Sequence, residues 1–285
     1  MCVIRVPCSR PLKYEIIEKA GSGGFGNVYK VQGSDGNIYA MKILKDLSKI
    51  NKDRFDREIK ILAQLDHPNI VRIVEWNLGG DPPDFSPWYT MEYLHGGSLR
   101  HHMDEKFKNN YVFQRNWTIK TIILPALHAL GQAHHAGIYH RDLKPDNILY
   151  TDTHRAQVKI TDWGLGRDIG RKSIALTAAT GEIGGTPGYC APEQWFSFEN
   201  IDGRADIFSL GVIFYEMMTG RRPPTYDNDM KRKAIDPPSK FHPTISRDLD
   251  DIIQRMLDLN PDKRQSSVME LASDIELLED ARYYY

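Results

Sequence analysis

The first ninety residues mostly show the two-residue alternation of apolar and polar positions that is typical of β-strands. From Tyr14 the side chains alternate until the chain enters a glycine-rich stretch, which predicts a strand followed by a turn. A second strand is predicted over residues 27–31, a turn over residues 33–36, and a third strand that ends in Lys42. The chain therefore begins with a strand, a glycine-rich turn, a strand, a turn, and a strand that carries a lysine.

One helix with a single apolar face interrupts these strands. Residues 54–65 repeat apolar side chains at helical spacing, and Glu58 lies beside the face formed by Phe55, Ile59 and Leu62. The sequence His67-Pro68-Asn69 ends this helix. Strands are then predicted over residues 70–76 and 88–93, with a loop between them.

The rest of the chain has mainly the helical period. Ser98 is a candidate cap for a short polar helix that runs to about Asn109. A longer apolar helix is predicted over residues 116–134, where Pro125 should introduce a kink or a boundary. The other predicted elements are a hairpin over residues 148–150 and 158–160 and helices over about residues 206–218, 248–259 and 267–278.

Composition indicates a folded chain with one large domain or two lobes. The chain has 285 residues, of which 41% are hydrophobic, and this is enough for a core. A net charge of −1 lacks the basic excess that nucleic acid requires, so nucleic acid is not expected as a partner. The basic runs at residues 221–222 and 231–233 are interpreted as solvated loop charge.

Cysteine usage and hydropathy predict a cytoplasmic protein. Cys2, Cys8 and Cys190 are too few for a disulfide framework and have no zinc-binding spacing, which indicates a reducing compartment. The N-terminus lacks the pattern of a signal or transit peptide. The most apolar stretch, residues 207–218, is too short to cross a bilayer, so no membrane segment is expected.

The candidate chemistry is concentrated in residues 140–147, which read His-Arg-Asp-Leu-Lys-Pro-Asp-Asn. Phosphoryl transfer mainly needs an acceptor oxygen held in line with phosphorus and charge placed where oxygens become more negative. A carboxylate and an amide in a proline-containing loop can meet both needs. Five positions match the catalytic loop of Ser/Thr protein kinases, namely His140, Arg141, Asp142, Lys144 and Asn147.

A glycine-rich loop supports the same interpretation. Residues 21–26 read Gly-Ser-Gly-Gly-Phe-Gly, a spacing that on its own also fits a plain hairpin turn. A strand follows the glycines, as in the nucleotide loop of protein kinases, whereas a helix would follow in a Rossmann unit. Glycines allow backbone N–H groups to approach phosphates closely. The expected nucleotide contacts in this loop are Gly21, Ser22, Gly23, Gly24, Phe25 and Gly26.

In their order and spacing these motifs resemble the eukaryotic-like (Hanks-type) Ser/Thr protein kinases. The resemblance covers residues 12 to about 278 and implies an α+β fold of two lobes. The small β-rich N-lobe with one main helix would span about residues 12–94, and the mainly helical C-lobe about residues 95–278. Residues 1–11 would form an N-terminal extension and residues 279–285 a tail.

The resemblance also implies the roles of the charged residues. Asp142 would orient the acceptor hydroxyl and accept its proton, while Lys144 would steady the γ-phosphoryl of ATP. Lys42, positioned by Glu58, would hold the ATP phosphates. The implied ligands of Mg²⁺, for which Mn²⁺ is an alternative, are Asn147 and Asp162.

Apolar residues around the adenine ring are implied in the same way. The implied walls of the pocket are Val28, Ala40, Met91 and Leu149, and the hinge that reads the adenine edge runs from Glu92 to Leu94. These apolar positions fit ordinary core packing equally well, so that alternative stays open. Trp163 replaces the phenylalanine of the family's Asp-Phe-Gly motif, and its indole N–H needs a partner.

Residues 185–193 resemble the substrate-docking loop of the family. Thr186 with Lys144 is the pairing that members use on Ser/Thr substrates, which implies protein substrates with serine or threonine acceptors. Two supporting roles are also implied: Arg264 would pair with Glu193, and Asp206 would brace the backbone of the catalytic loop.

Residues 165–185 have the composition of a mobile loop. The resemblance implies that a negative charge in this loop meets Arg54, Arg141 and Arg167, and the usual phosphorylated position falls on Glu182. We hypothesise that Glu182 supplies a permanent charge in place of a phosphate. Two alternatives stay open: Glu182 has no partner, or the loop is phosphorylated by the protein itself at Thr180, Thr177 or Ser173.

Two other functions remain as alternatives to a protein kinase. A pseudokinase would bind nucleotide or a partner without turnover, but the intact catalytic and metal-binding residues argue against it. A small-molecule phosphotransferase would not need the docking segment. The histidines at residues 101, 102, 128, 134 and 135 are not expected to form a metal site, because adjacent histidines point to different helix faces.

Overall fold

A computed structural model describes residues 12–22, 26–79, 86–163, 186–196, 201–224 and 234–280. Several sequence predictions concern residues outside these ranges. They include the glycine-loop residues Gly23, Gly24 and Phe25, the loop residues Arg167, Ser173, Thr177, Thr180 and Glu182, the predicted N-terminal extension at residues 1–11, and residues 281–285 of the predicted tail at residues 279–285.

The N-lobe is an antiparallel five-stranded sheet with one long helix against it. The order of the strands in the sheet is β1-β2-β3-β5-β4. The elements are β1 (Tyr14–Ser22), β2 (Gly26–Gly33), β3 (Ile38–Leu44), α1 (Lys49–Gln64), β4 (Ile73–Asn77) and β5 (Trp88–Glu92).

The register of the two central strands positions the site. In the antiparallel pairing of β3 with β5, Lys42 lies opposite Tyr89 and Ala40 lies opposite Met91. Directly opposite residues of a pair project from the same face of a sheet. Phe55 of α1 packs against Tyr89, with ring centroids 5.3 Å apart, so this face of the sheet is the one that α1 covers.

The C-lobe is mainly helical and includes one short hairpin. Its helices are α2 (Leu99–Lys108), α3 (Arg115–Thr118), a π-helical turn (Ile119–Ile123), α4 (Leu124–His135), and the helices Glu193–Phe196, Arg204–Thr219, Arg247–Met256 and Val268–Asp280. The hairpin consists of β6 (Ile148–Tyr150) and β7 (Val158–Ile160). Short 3₁₀ turns lie at Pro145–Asn147, Pro238–Lys240 and Pro261–Lys263.

This architecture confirms the predicted α+β fold of two lobes. The helix Arg204–Thr219 is buried along its length, which explains why the predicted helix over residues 206–218 had apolar side chains on every face. Pro125 lies in the first turn of α4, directly after the π-helical turn, and so marks a boundary as expected. A proline lacks the N–H that would continue the α-helical ladder, and a wider turn accommodates it.

Two predicted starts were wrong, and the helix predicted over about residues 248–259 ends at Met256. Helix α1 begins at Lys49, well before residue 54, because Ser48 caps a first turn whose one apolar side chain, Ile50, is exposed and does not extend the buried face. Strand β4 begins at Ile73 and not at residue 70. Ile70 instead forms an isolated bridge with Ile160 of β7, which ties the loop after α1 to the C-lobe.

None of the helices in the described ranges is long and apolar enough to span a membrane.

Candidate active site

A buried lysine links two carboxylates at the junction of the lobes. Lys42 Nζ lies 2.6 Å from Glu58 Oε1 and 2.9 Å from Asp162 Oδ1. The side chains of Lys42 and Glu58 are 10% and 5% exposed, whereas that of Asp162 is 45% exposed. Lys42 thus joins β3 and α1 of the N-lobe to the segment that follows β7 of the C-lobe.

Burial and charge oppose each other in this cluster. The positive charge of Lys42 lowers the pKa of Asp162 to about 2, so this carboxyl is ionised. Burial raises the pKa of Glu58, although Lys42 and the hydroxyl of Tyr89 act to lower it. Burial also acts to lower the pKa of Lys42, but Asp162 and Glu58 together raise it well above the usual value. Lys42 therefore remains a cation.

The catalytic loop places a carboxylate, an ammonium and a hydroxyl in a triangle. Lys144 Nζ donates to Asp142 Oδ2 at 2.9 Å and to Thr186 Oγ1 at 2.7 Å. The hydroxyl of Thr186 in turn donates to Asp142 Oδ1 at 2.7 Å. The side chains of Asp142 and Lys144 are 13% and 22% exposed, so an incoming hydroxyl can reach them.

Local turn chemistry delivers this loop to its position. Helix α4 ends at His135, and Gly137 adopts a positive φ of 69° that L-residues disfavour. The N–H of Ile138 then bonds to the carbonyl of Ala133 at 2.9 Å, which is a Schellman-type ending. The chain leaves the helix sharply at this point and runs directly into residues 140–147.

Asp206 holds the loop from the central helix below it. Its Oδ2 accepts the backbone N–H of His140 at 2.8 Å and its Oδ1 that of Arg141 at 2.7 Å. Arg141 has a positive φ of 64°, a conformation that costs energy and needs such support. His134 Nε2 also donates to Asp206 Oδ2 at 2.8 Å. Burial acts to raise the pKa of Asp206, but these hydrogen bonds hold it below its usual value.

Asn147 and Asp162 offer oxygen ligands on neighbouring segments. The amide nitrogen of Asn147 donates to the carbonyl of Asp142 at 2.9 Å, which leaves its Oδ1 as an acceptor. The backbone carbonyl of Asn147 accepts the N–H of Thr161, the residue before Asp162, at 3.0 Å. An amide oxygen and an ionised carboxylate fit Mg²⁺, which takes few protein ligands and completes its shell with phosphate oxygens and water.

The described residues contain no group of three or more His, Cys, Asp or Glu side chains that could enclose a metal ion. The five histidines considered in the sequence form no such group either. His102 instead bonds the hydroxyl of Tyr150 at 2.9 Å, and His134 supports Asp206. A metal at Asn147 and Asp162 would therefore depend on the nucleotide for its remaining ligands.

Comparison with known proteins agrees with this geometry. The protein kinase domain family matches residues 14–275. The chain belongs to the protein kinase domain family.

Relatives of this kinase domain carry serine/threonine kinase names. A probable serine/threonine-protein kinase of Clostridium perfringens is 34% identical over 275 residues, which are 93% of this chain and 38% of the relative. Serine/threonine-protein kinase PknB of Mycobacterium tuberculosis is 32% identical over 277 residues, 92% of this chain and 42% of the relative. The chain thus spans about two fifths of the length of these relatives.

A solved structure has the same fold. The crystal structure of the Mycobacterium tuberculosis PknI kinase domain superposes with a TM-score of 0.68 at 25% sequence identity. The superposition covers 93% of this chain and 95% of the PknI domain.

The residues expected around the adenine ring lie on strands β2, β3, β5 and β6. Ala40 and Met91 are buried and paired in the sheet, while Val28 and Leu94 are half-buried against the core. Leu149 forms a bridge with Ser98, directly after the hinge.

The hinge residue Glu92 uses its side chain for structure. Its Oε1 accepts Lys159 Nζ and the backbone N–H of Arg72, both at 2.7 Å. Glu92 could therefore contact a ligand only through its backbone.

The first two residues of the glycine loop lie at the end of β1. Gly21 pairs with Val28 and Ser22 pairs with Asn27, so the strands on both sides of the loop are in register. Gly26 packs closely, because an added Cβ would lie 2.9 Å from the carbonyl oxygen of Ile43. Gly26 is therefore required by packing in β2 as well as by any role in the loop.

Trp163 is fully buried in the kinase domain. Its indole N–H donates to the carbonyl of Ile160 at 3.4 Å, a long contact that answers the need for a partner expected from the sequence. Its ring lies 4.9 Å from that of His140, whose Nε2 donates to the carbonyl of Thr161 at 2.9 Å. Trp163, at the position where the family has phenylalanine, therefore packs against His140 of the catalytic loop.

The expected docking segment is anchored by Arg264 and by a second pair of charged residues, Arg100 and Glu216. Both terminal nitrogens of Arg264 contact Glu193, at 2.6 and 2.8 Å, and the side chain of Arg264 is fully buried. Tyr189 donates to Glu216 at 2.6 Å, and Arg100 donates to both at 3.0 Å. The expected pairing of Arg264 with Glu193 is therefore present.

Sequence reasoning missed two contributors to the site. The sequence pattern does not distinguish His134 from the other histidines, and it assigns no role to Tyr89. The signal for Tyr89 was the strand register, since it lies opposite Lys42, but registers cannot be read from one strand alone. His134 and Asp206 lie far apart in sequence, so no periodic pattern in the sequence could predict their contact.

Proposed function

We propose that this chain is an ATP-dependent protein serine/threonine kinase that transfers the γ-phosphoryl of ATP to serine or threonine hydroxyls of proteins. The observation that carries the proposal is the triangle of Asp142, Lys144 and Thr186 beside the intact Lys42–Glu58 pair. Nothing in the described part of the chain favours the alternative, a pseudokinase that binds without turnover.

The acceptor hydroxyl would bind where the Thr186 hydroxyl now meets Asp142. Asp142 Oδ1 accepts a hydroxyl proton at 2.7 Å from Thr186, which supports its role as the group that orients the substrate hydroxyl and accepts its proton. Lys144 contacts the same carboxylate and would steady the transferred phosphoryl as negative charge develops on it.

ATP would bind between the lobes. Lys42, held by Glu58, would contact the phosphates, and the loop from Gly21 to Gly26 would cover them. Val28, Ala40, Met91 and Leu149 would enclose the adenine, and the backbone from Glu92 to Leu94 would read its edge.

Asn147 and Asp162 are proposed as the ligands of Mg²⁺. The low pKa of Asp162 supports this assignment, because an ionised carboxylate is a ligand at neutral pH without prior loss of a proton. A bound Mg²⁺ supplies charge neutralisation to the phosphate oxygens. Mn²⁺ is an alternative ion with the same preference for oxygen ligands.

The preference for serine and threonine rests on the contact between Lys144 and Thr186. The two groups are 2.7 Å apart and hold the docking segment close to Asp142, so a short acceptor side chain reaches the carboxylate. The larger reach of a tyrosine acceptor would require that segment to move outwards.

The extent and setting of the domain are also proposals. The domain is proposed to span residues 12–278, with its lobes meeting near residue 94. Its partners would be protein substrates, with phosphorylation of its own residues 165–185 as a further reaction. A cytoplasmic location, inferred from cysteine usage, stays a prediction.

The test is peptide mass spectrometry after incubation of the purified chain with Mg-ATP and a generic basic protein. We expect phosphate on serine and threonine and not on tyrosine, and its absence with the matched variant Asp142→Asn. ATP binding by the wild-type chain without any transfer would contradict the proposal and favour the pseudokinase. Phosphate found on Thr180, Thr177 or Ser173 would favour these residues over Glu182 as the charge in the loop.

A further inference from the structure

The pair of Lys42 and Glu58 has a third member in Tyr89. The hydroxyl of Tyr89 donates to Glu58 Oε1 at 2.8 Å, the same oxygen that accepts Lys42 Nζ at 2.6 Å. Tyr89 is 1% exposed, so its hydroxyl has no access to water as an alternative partner. The position of the Glu58 carboxylate is therefore defined by two donors from two adjacent strands.

The sheet places this tyrosine beside the lysine by register. Lys42 of β3 and Tyr89 of β5 are directly opposite in the antiparallel pair, so both side chains project towards α1. Lys42 Nζ lies 5.9 Å from the centre of the tyrosine ring. Lys42, Tyr89 and Glu58 thus form a triangle. Lys42 and Tyr89 are fixed in the sheet, and together they hold Glu58 of α1.

The ring of Tyr89 is itself fixed by α1. Phe55 packs against it with ring centroids 5.3 Å apart, and Phe55 lies one helical turn before Glu58 on the same face. Tyr89 therefore makes an apolar contact and a hydrogen bond to two successive turns of α1. These contacts oppose both translation of the helix along the sheet and rotation about its own axis.

Competition for Lys42 gives these contacts a function. Lys42 also contacts Asp162 at 2.9 Å, and Asp162 is the more exposed of its two carboxylate partners. Glu58 is the nearer partner of Lys42, at 2.6 Å, and it can set the position of Lys42 only if its own carboxylate stays in place. A buried hydrogen bond to a charged acceptor, such as that from Tyr89 to Glu58, is strong enough to keep the carboxylate in place.

We propose that Tyr89 is a positioning residue, whose hydroxyl orients Glu58 so that Lys42 is presented to the phosphates of ATP. This inference rests on the proposed kinase activity. Tyr89 itself touches neither nucleotide nor acceptor, and it acts only through Glu58.

The test is Tyr89→Phe, which removes the hydroxyl and keeps the ring against Phe55. We expect kcat/KM for Mg-ATP to fall about tenfold through a higher KM for Mg-ATP, while the KM for the protein substrate stays within about twofold. A merely structural role would lower the amount of active enzyme, and so kcat, and would leave both KM values unchanged.

Tyr14→Phe is the matched control. Tyr14 also donates its hydroxyl to a carboxylate of the same lobe, that of Glu75 at 2.9 Å, and it lies away from Lys42. We expect its KM for Mg-ATP to equal that of the wild type. A rise in that value comparable to the one in Tyr89→Phe would overturn the proposal, since any lost hydroxyl in the lobe would then act alike.

A double-mutant cycle with Glu58→Ala tests the route of the effect. In the Glu58→Ala background, Tyr89→Phe should cause no further change in kcat/KM for Mg-ATP. A full additional tenfold loss in that background would overturn the proposal.

If Tyr89→Phe does not fold, 3-fluorotyrosine at position 89 is the second variant. Its stronger donor should leave the KM for Mg-ATP equal or lower, and a rise would contradict the assignment.

The failure of this inference is distinct from that of the proposed function. If the wild type and Tyr14→Phe both transfer no phosphate, the proposed kinase activity is wrong. If both transfer phosphate and Tyr89→Phe has the wild-type KM for Mg-ATP, only the role of Tyr89 is wrong.

Discussion

Two clusters of charge face each other across the site, and they are held in different ways. In the lysine cluster (Lys42, Glu58, Tyr89 and Asp162) every member except Asp162 is buried between sheet and helix, and side-chain contacts fix the cluster. In the aspartate cluster (Asp142, Lys144 and Thr186) the side chains are partly exposed, and Asp206 holds the backbone of the catalytic loop.

The difference follows from what each cluster would have to do. A buried ion pair is strengthened by its low-polarity surroundings but also pays for desolvation, so it needs several partners to stay charged. A group that receives an acceptor hydroxyl must stay open to it, and so its support has to come from the backbone side. Charge is therefore stabilised by side-chain partners that offset burial in the lysine cluster, and by loop geometry in the aspartate cluster.

The largest expected effect comes from a substitution that changes the aspartate cluster and leaves the lysine cluster intact. Asp142→Asn should lower the rate of phosphate transfer about 10³–10⁴-fold, because the group that accepts the proton is lost while its size is kept. The affinity for Mg-ATP, measured by calorimetry, should remain within about threefold of wild type, since the lysine cluster is untouched. A large loss of nucleotide affinity would show that the clusters are not independent.

The anchor below the docking segment should matter next. Arg264→Ala should lower the free energy of unfolding by about 3–5 kcal/mol, because it leaves the Glu193 carboxylate without its buried partner. Urea denaturation measures this loss. Arg255→Ala is the control, since Arg255 pairs with Glu270 at the surface and should cost less than about 1 kcal/mol. Equal costs for the two arginines would contradict the structure.

The support of the catalytic loop should contribute somewhat less. Asp206→Asn replaces one acceptor oxygen by a donor, which faces the backbone N–H of Arg141 or, in the other orientation, that of His140 together with the ring of His134. We expect the free energy of unfolding to fall by about 2–4 kcal/mol, and transfer to slow more than nucleotide binding weakens. Ser209→Ala removes a buried hydroxyl from the same helix and should cost about 1 kcal/mol or less. Unchanged transfer in Asp206→Asn would disprove the proposed support.

The smallest expected effect concerns the charge of Asp162. In the wild type its pKa is lowered to about 2 by Lys42, from an ordinary value of 3.8. The contact therefore stabilises the fold at pH values above the ordinary pKa of 3.8. This stability is lost as the pH falls towards the lowered pKa of about 2. In Lys42→Met the pKa of Asp162 should return towards its ordinary value.

Carboxyl ¹³C shifts between pH 6 and 4 measure this difference in titration. The signal of Asp162 should stay constant in the wild type and begin to move near pH 4 in Lys42→Met. Lys159→Met removes a lysine that pairs with Glu92 elsewhere, and it should behave as the wild type does. A wild-type signal that already titrates near pH 4 would contradict the close contact between Lys42 and Asp162.

Local pattern was enough to predict most elements of the fold. The hairpin over residues 148–150 and 158–160 has the predicted bounds, and Ser98 caps α2 as expected, accepting the N–H of His101 at 3.2 Å. The start of α1 was misplaced because the only apolar side chain of its first turn, Ile50, is exposed and adds nothing to the buried face. The start of β4 was misplaced because Ile70 is apolar for a contact with β7 and not for the sheet.

The sequence by itself determined the order of the elements and the chemical groups available for the site. These depend on short-range spacing, which a chain carries in its linear order: the glycines of residues 21–26, the acid and amide of residues 140–147, and the apolar faces of the helices. The resemblance to protein kinases rested on the same local information.

Only the tertiary structure decided which groups share a proton or an ion pair. The contact of Tyr89 with Glu58 depends on the pairing of two strands and the position of a helix, and that of His134 with Asp206 on the packing of two helices. Both are long-range consequences of burial, which removes water as a partner and forces each polar group to find another.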